Sequence, residues 1–176
     1  MKQLKLTPTT LFGLLVGATF IVASLLFFKT GRVIALNYAL NNIILTLTIL
    51  GMFTGIKHYR DELLKGVISF EKAFVVGFKI LVISTLLYSV YLYILYKSQP
   101  ELLESYRQTS IVLFQNAYGN SEFSQLLESY VLHELTPGAI AFIEFFQKMI
   151  LGALFTLLLS SIMKRKAPPL SSHHNP

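Results

Sequence analysis

Residues 57–79 read KHYRDELLKGVISFEKAFVVGFK, and this charged stretch separates two apolar runs, 36–56 upstream and 73–96 downstream. Each run is long enough to cross a bilayer, which takes about 20 residues of helix. The stretch between them carries Lys57, Arg60, Lys65 and Lys72, so it decides which side of a membrane the rest of the chain occupies.

Working outward, residues 9–28 form another apolar run after a polar start holding Lys2 and Lys5. The run exceeds the roughly 7–15 residues of a signal-peptide core and ends in Leu-Phe-Phe-Lys without a small-residue cleavage site. It reads as an uncleaved first span, with Pro8 at its start and Gly31 breaking the link to the second. At the other end, residues 149–163 are apolar but too short. The fourth span therefore extends back through Lys148 and Glu144 to about residue 140. Residues 167–176, rich in Pro, Ser and His, read as a disordered tail.

Composition agrees with lipid as the solvent. Hydrophobic residues make up 53% of the 176-residue chain and charged ones 14%, against about 25% charged in soluble domains. The net charge of +6 does not point to nucleic acid, because the basic residues flank spans and form no patch of their own. With the N-terminus inside, nine basic residues face the cytoplasm: Lys2, Lys5, Lys57, Arg60, Lys65, Lys72, Lys164, Arg165 and Lys166. Four, Lys29, Arg32, Lys97 and Arg107, face out. Positive residues concentrate on the inner side, so both termini are expected in the cytoplasm.

Residues 97–137 form more than a loop. Ser98 is placed to cap a helix starting near Pro100, with Glu101 and Glu104 in its first turn and Gly119 at its stop. Ser121 caps a second helix in which Phe123, Leu126, Leu127, Tyr130 and Val131 recur at helical spacing. The expected fold is all-α: a four-helix transmembrane bundle with an extracytoplasmic amphipathic helical hairpin between spans three and four.

Residues that carry chemistry are few. Lys79, Glu144 and Lys148 are the charges inside spans. Charge at the centre of a span costs roughly 2.5–3.5 kcal/mol on insertion scales. Lys79 is near enough to one side to snorkel. Glu144 and Lys148, four apart, pair within the helix or serve a proton or ion relay. Gly13 and Gly17, and Gly51 and Gly55, form GxxxG pairs that bring the first two helices close, with self-association as the other use. Gly77 and Gly152 are narrow points on the other two spans. Tyr88, Tyr91, Tyr93 and Tyr96 gather at one end of the third span and read chiefly as an interfacial belt, packing between helices being the alternative. Asn41 and Asn42 suit hydrogen bonds across helices. The chain has no cysteine, and its histidines (58, 133, 173, 174) lack metal-ligand spacing with a carboxylate. No nucleophile or phosphate-loop motif occurs, so no catalytic residue, cofactor or metal is expected.

Within the opening stretch, Tyr59-Arg60-Asp61, then Gly66, Ile68-Ser69-Phe70, Lys72-Ala73-Phe74 and Gly77 resemble the signature of domain-of-unknown-function family 4199. The resemblance runs over nearly the whole chain and implies a bacterial inner-membrane protein of four spans, with no established activity to transfer. The family often has a second glycine just before Gly66, where this chain has Lys65. Physically, Arg60 and Asp61 suit a headgroup-level ion pair or phosphate contact. Gly66 ends a short helix, Ser69 caps the third span, and Phe70 and Phe74 share a face.

These features lead to a non-enzymatic accessory or scaffolding subunit of a larger membrane assembly. Its expected partners are lipids and other membrane subunits or a second copy. The expected contact surface is Tyr106, Phe114, Phe123, Leu127 and Tyr130 on the hairpin. A small oligomeric ion- or proton-coupled transporter or channel using Glu144 and Lys148 is the alternative.

Overall fold

The computed structural model describes residues 7–30, 34, 36–119 and 121–165. Gly31, Arg32, Lys2, Lys5, Lys166 and the expected tail lie outside the described residues. Six α-helices follow one another: α1 Pro8–Lys29, α2 Tyr38–His58, α3 Phe70–Ser98, α4 Pro100–Tyr118, α5 Glu122–Glu134 and α6 Pro137–Met163. A π-helical turn, Tyr59–Leu63, continues α2. The chain is an all-α bundle in which α1, α2 with its π turn, α3 and α6 are long and apolar enough to cross a membrane.

Local sequence explains the boundaries. A helix start leaves N–H groups without carbonyl partners, and short polar side chains fill that role. Thr7 does so for α1, Asn37 for α2, Ser69 for α3, Ser121 for α5 and Thr136 for α6, each accepting from a backbone N–H three residues on. Ser98 does not cap α4. It is the last residue of α3, its hydroxyl donating to the Ile94 carbonyl, and α4 starts at Pro100 without a side-chain cap. Proline in the first turn needs less help, since it has no N–H to satisfy. Gly119, with φ of 62°, stops α4 where expected.

α2 and α3 each touch the other three long helices and form the short diagonal, with α1 and α6 at the far corners. Glycines set how close they come. A side chain at Gly13 or Gly17 would run into Ile83 or Leu87 of α3, and one at Gly51 would run into Val16 of α1. The glycines of the first span therefore seat α1 against α3, while Gly51 and Gly55 of the second bring α2 up to Val16 and Phe12 of α1, so the two helices do meet, through one motif and not both. Gly77 lets α3 meet Ile56 and Thr156, and Gly152 admits Leu81. Without a hydrophobic force between helices in lipid, such close van der Waals contact is what holds them.

The outside is apolar. Leu15, Leu26, Leu86, Ile150, Leu158 and Ile162 are among many large side chains left exposed along the long helices. An apolar surface of that extent is stable only against lipid.

At one end of the bundle the backbone of Ile68, ahead of α3, exchanges two hydrogen bonds with Arg165, after α6, at 3.1 and 2.9 Å. The same end holds the π turn, so it is called the Arg60 end; the opposite one, where α4 and α5 stand, is the hairpin end.

Candidate functional site

Toward the hairpin end the bundle interior turns polar. Glu144 and Lys148 lie one turn apart on α6 and pair directly, with side chains only 3% and 12% exposed. The ammonium also stands 5.2 Å from the centre of the Tyr88 ring on α3, a cation–π distance. The Tyr88 hydroxyl shares a 2.8 Å hydrogen bond with Ser24 of α1, and its ring packs edge-on against Phe20 and stacks with Tyr91. Tyr91 presents a buried hydroxyl with no hydrogen-bond partner among the described residues. Tyr88 of α3 thus backs the ion pair on α6, and Ser24 of α1 holds Tyr88 in turn. Ionic groups survive at such depth only when paired and hydrogen-bonded, because removing one partner strands the other.

Beside the pair, α2 and α6 part to leave a cavity of 220 Å³. Tyr38, Asn41, Asn42, Gln147 and Lys148 line it together with Ile44, Leu45, Thr48, Leu151 and Gly152. Asn41 and Asn42 are thereby placed between helices, and Asn37 is the cap of α2.

This geometry corrects the tyrosine belt. Tyr88 and Tyr96 are buried at 2% exposure, Tyr91 is half-buried, and only Tyr93 is substantially exposed. Sequence reasoning missed the Tyr88–Ser24 bond and the seat of Lys148 on Tyr88. The signal available was Tyr88 and Ser24 as polar residues deep in apolar runs, but nothing in the order of residues says that they meet. Lys79 does not join the cluster. It is exposed on α3, six residues or about 9 Å of helix from Thr85, whose hydroxyl contacts Met149.

The second candidate is the turn at the Arg60 end. Arg60 is buried at 9% exposure, and its guanidinium grips Asp61 through two bonds of 2.6 and 3.1 Å. Its carbonyl accepts from the Gly66 N–H at 2.9 Å. Lys65 and Gly66 both take positive φ, 51° and 89°. That conformation costs a β-carbon-bearing residue such as Lys65 about 1 kcal/mol or more. Phe70, Phe74 and Phe78 stack in a row at 6.4 and 5.6 Å, and Ser69 caps α3 by accepting from the Lys72 N–H at 3.3 Å. Gly77 lies one turn farther in, at the α3–α6 contact.

The hairpin divides the five residues expected on its surface. Tyr106 is buried at 6% exposure, its ring edge-on to Tyr96 at 6.0 Å, so it anchors α4 to the bundle and is not part of an outer surface. Burial pushes its phenol up to about 12, with the Glu144 charge adding. Arg107 reinforces the anchor by donating to the Leu135 carbonyl at 3.0 Å. Phe114 and Leu127 are half-buried, whereas Phe123 and Tyr130 are exposed. Phe123 also packs edge-on against Tyr118 across the hairpin turn, 5.1 Å away.

Among the described residues no three of His, Asp and Glu gather at metal-binding distance. Fold and site define a helical bundle of four membrane-length helices with an ion pair in its interior. The family model described as "Protein of unknown function (DUF4199)" matches residues 11–165, and the chain belongs to that family. No curated protein and no solved structure matches the chain.

Proposed function

We propose that the protein is a non-enzymatic subunit of the bacterial inner membrane, with both termini cytoplasmic, that holds or assists a larger membrane assembly through its hairpin. One observation carries the reading. Phe123, Leu126 and Tyr130 fall on one face of α5 and are 52%, 66% and 52% exposed, while α5 spends its packing chiefly on α4. An apolar row on an otherwise polar helix outside the spans has the form of a contact surface. Affinity capture in mild detergent tests it. Wild type brings down a partner subunit, and replacing Phe123, Leu126 and Tyr130 with Gln releases that partner while the bundle stays monodisperse. Recovery of the same proteins with and without the row defeats the proposal.

A second reading follows from a separate observation, the burial of Glu144 and Lys148 on α6 against Tyr88 of α3. An intramembrane ion pair is also the usual equipment of proton- and ion-coupled transport. Here Glu144→Gln with Lys148→Met abolishes a flux measured in proteoliposomes. Unchanged flux of protons, sodium and potassium removes this reading and leaves the pair a structural one.

A further inference from the structure

We infer that the cavity between α2 and α6 is a lipid site, built for a glycerophospholipid whose phosphodiester sits among Asn42, Gln147 and Lys148 and whose acyl chain follows Leu45 and Leu151.

Depth is the first argument. α2 runs 20 residues from Tyr38 to Lys57, about 30 Å, the thickness of a hydrocarbon core. Asn41 and Asn42 are three and four residues below Tyr38, so the mouth of the cavity lies about 5 Å inside the edge of the apolar layer on the hairpin side. That is the level of the first acyl carbons, directly beneath the glycerol, so a phosphate reaches the amides and the Lys148 ammonium by settling below its usual plane.

The lining is divided to match. Asn41, Asn42, Gln147 and Lys148 stand at the end nearer Tyr38, and Ile44, Leu45, Thr48, Leu151 and Gly152 continue from them toward the bundle's middle. A wholly apolar occupant leaves the amides of Asn42 and Gln147 unsatisfied, and a small hydrophilic one wastes the apolar end. Only an amphiphile satisfies both.

The third argument is unspent hydrogen bonding. The side-chain amides of Asn42 and Gln147 have no partner among the described residues, although both border the cavity at a depth where water is scarce. An unpaired amide there is costly. The Lys148 ammonium has three N–H groups, of which Glu144 engages one. Donors therefore outnumber acceptors at the mouth. A phosphodiester supplies acceptors and a negative charge. The lysine–glutamate pair, neutral by itself, becomes a bridged triad with the phosphate opposite Lys148.

Native mass spectrometry on the delipidated protein in detergent provides the test. The probes are palmitoyl-oleoyl phosphatidylglycerol and glycerol 3-phosphate, the latter carrying the phosphate without chains. Wild type is expected to retain one phosphatidylglycerol, and glycerol 3-phosphate is not expected to displace it. Changing both Asn42 and Gln147 to Leu is expected to weaken retention roughly tenfold, the worth of two hydrogen bonds. Both positions are exposed on the bundle, so the fold tolerates the change. Leu45→Trp, which fills the cavity, is expected to remove the adduct, while Ile150→Trp on the lipid-facing side of α6 leaves it in place. Equal retention in the Asn42/Gln147 double variant and wild type overturns the proposal, as does equal loss in both tryptophan variants. Displacement by glycerol 3-phosphate at the same concentration as the lipid shows a phosphate site that ignores the chain, and overturns it too.

Discussion

The two halves of the bundle are built on opposite plans. Toward the Arg60 end, Gly13, Gly51, Gly55 and Gly77 let four helices touch through small surfaces, and the interior there is filled by Met52, Ile56, Val76 and Ile80. Toward the hairpin end the small residues give way to Tyr88, Tyr91, Tyr96, Glu144 and Lys148. The helices separate and a 220 Å³ cavity opens. Close contact stabilises a helix pair in lipid, and spacing makes room for polar groups. One half is held by close contact, with its buried hydroxyls, Thr156 and Ser160, spent on carbonyls of their own helix. The other carries the interior ion pair and a phenol whose hydrogen bond comes from another helix.

The strongest way to break this contrast is to strip one charge from the polar half. Lys148→Met strands Glu144, which is 2% exposed, and is expected to cost about 3–5 kcal/mol. Changing Glu144 to Gln in the same chain recovers most of the loss. Thermal unfolding in mild detergent reads both. If the single variant melts like wild type, the ion pair is not the keystone of that half.

A smaller effect sharpens the other side. A β-carbon at Gly13 meets the Ile83 Cβ at 2.7 Å, an atom fixed by its backbone, and the Ile80 carbonyl at 3.3 Å. Gly13→Ala is therefore expected to destabilise by about 1–3 kcal/mol, even after the gain of up to about 1 kcal/mol in helix propensity. At Gly138, in the first turn of α6, such a carbon meets only the Thr136 Oγ1 at 3.8 Å, an ordinary contact, so Gly138→Ala stays within about 1 kcal/mol of wild type. Equal melting temperatures for the two variants contradict the packing argument.

The smallest effect concerns the anchor between the halves and the hairpin. The Tyr106 phenol is raised from 10 to about 12, so the neutral form is the one the fold prefers. Its contribution is fully present below pH 10 and is lost as pH climbs through about 12. Because the chain has no cysteine of its own, a fluorophore pair on cysteines introduced at Glu101 and Lys29 can follow α4 lifting from the bundle. Tyr106→Phe removes that alkaline step. Persistence of the step in the phenylalanine variant assigns it to another group.

The spans were legible because run length and hydropathy act along the chain. Four apolar stretches and the caps Ser69 and Ser121 were all visible, and the structure begins its helices at those caps. The facing of each helix was not legible. A span apolar all round gives no moment to say which side meets a neighbour, and this is why Tyr88 and Tyr96 were read outward and lie inward. Tyr106, on the amphipathic α4, lies inward because that helix leans its apolar face on Tyr96, a contact no local pattern reveals. The same blindness hid that Gly13 and Gly17 face α3, while Gly51 faces Val16 of α1 as the motifs led one to expect of the first two helices. Ser98 failed as a cap because α3 simply ran on to it. Glu144 and Lys148 were legible as a pair because four-residue spacing is a local property; the ring beneath them came from residue 88, sixty residues away.

The two backbone bonds between Ile68 and Arg165 have a mechanical corollary. They fasten the start of one rod to the tip of another at the glycine-rich extremity, where the gap between rods is already nil. Axial sliding of α6 past α3 must tear that fastening, whereas splaying at the distant extremity leaves it whole. A separation of α6 from α3 is thus a tilt about a pinned foot, in the manner of tongs.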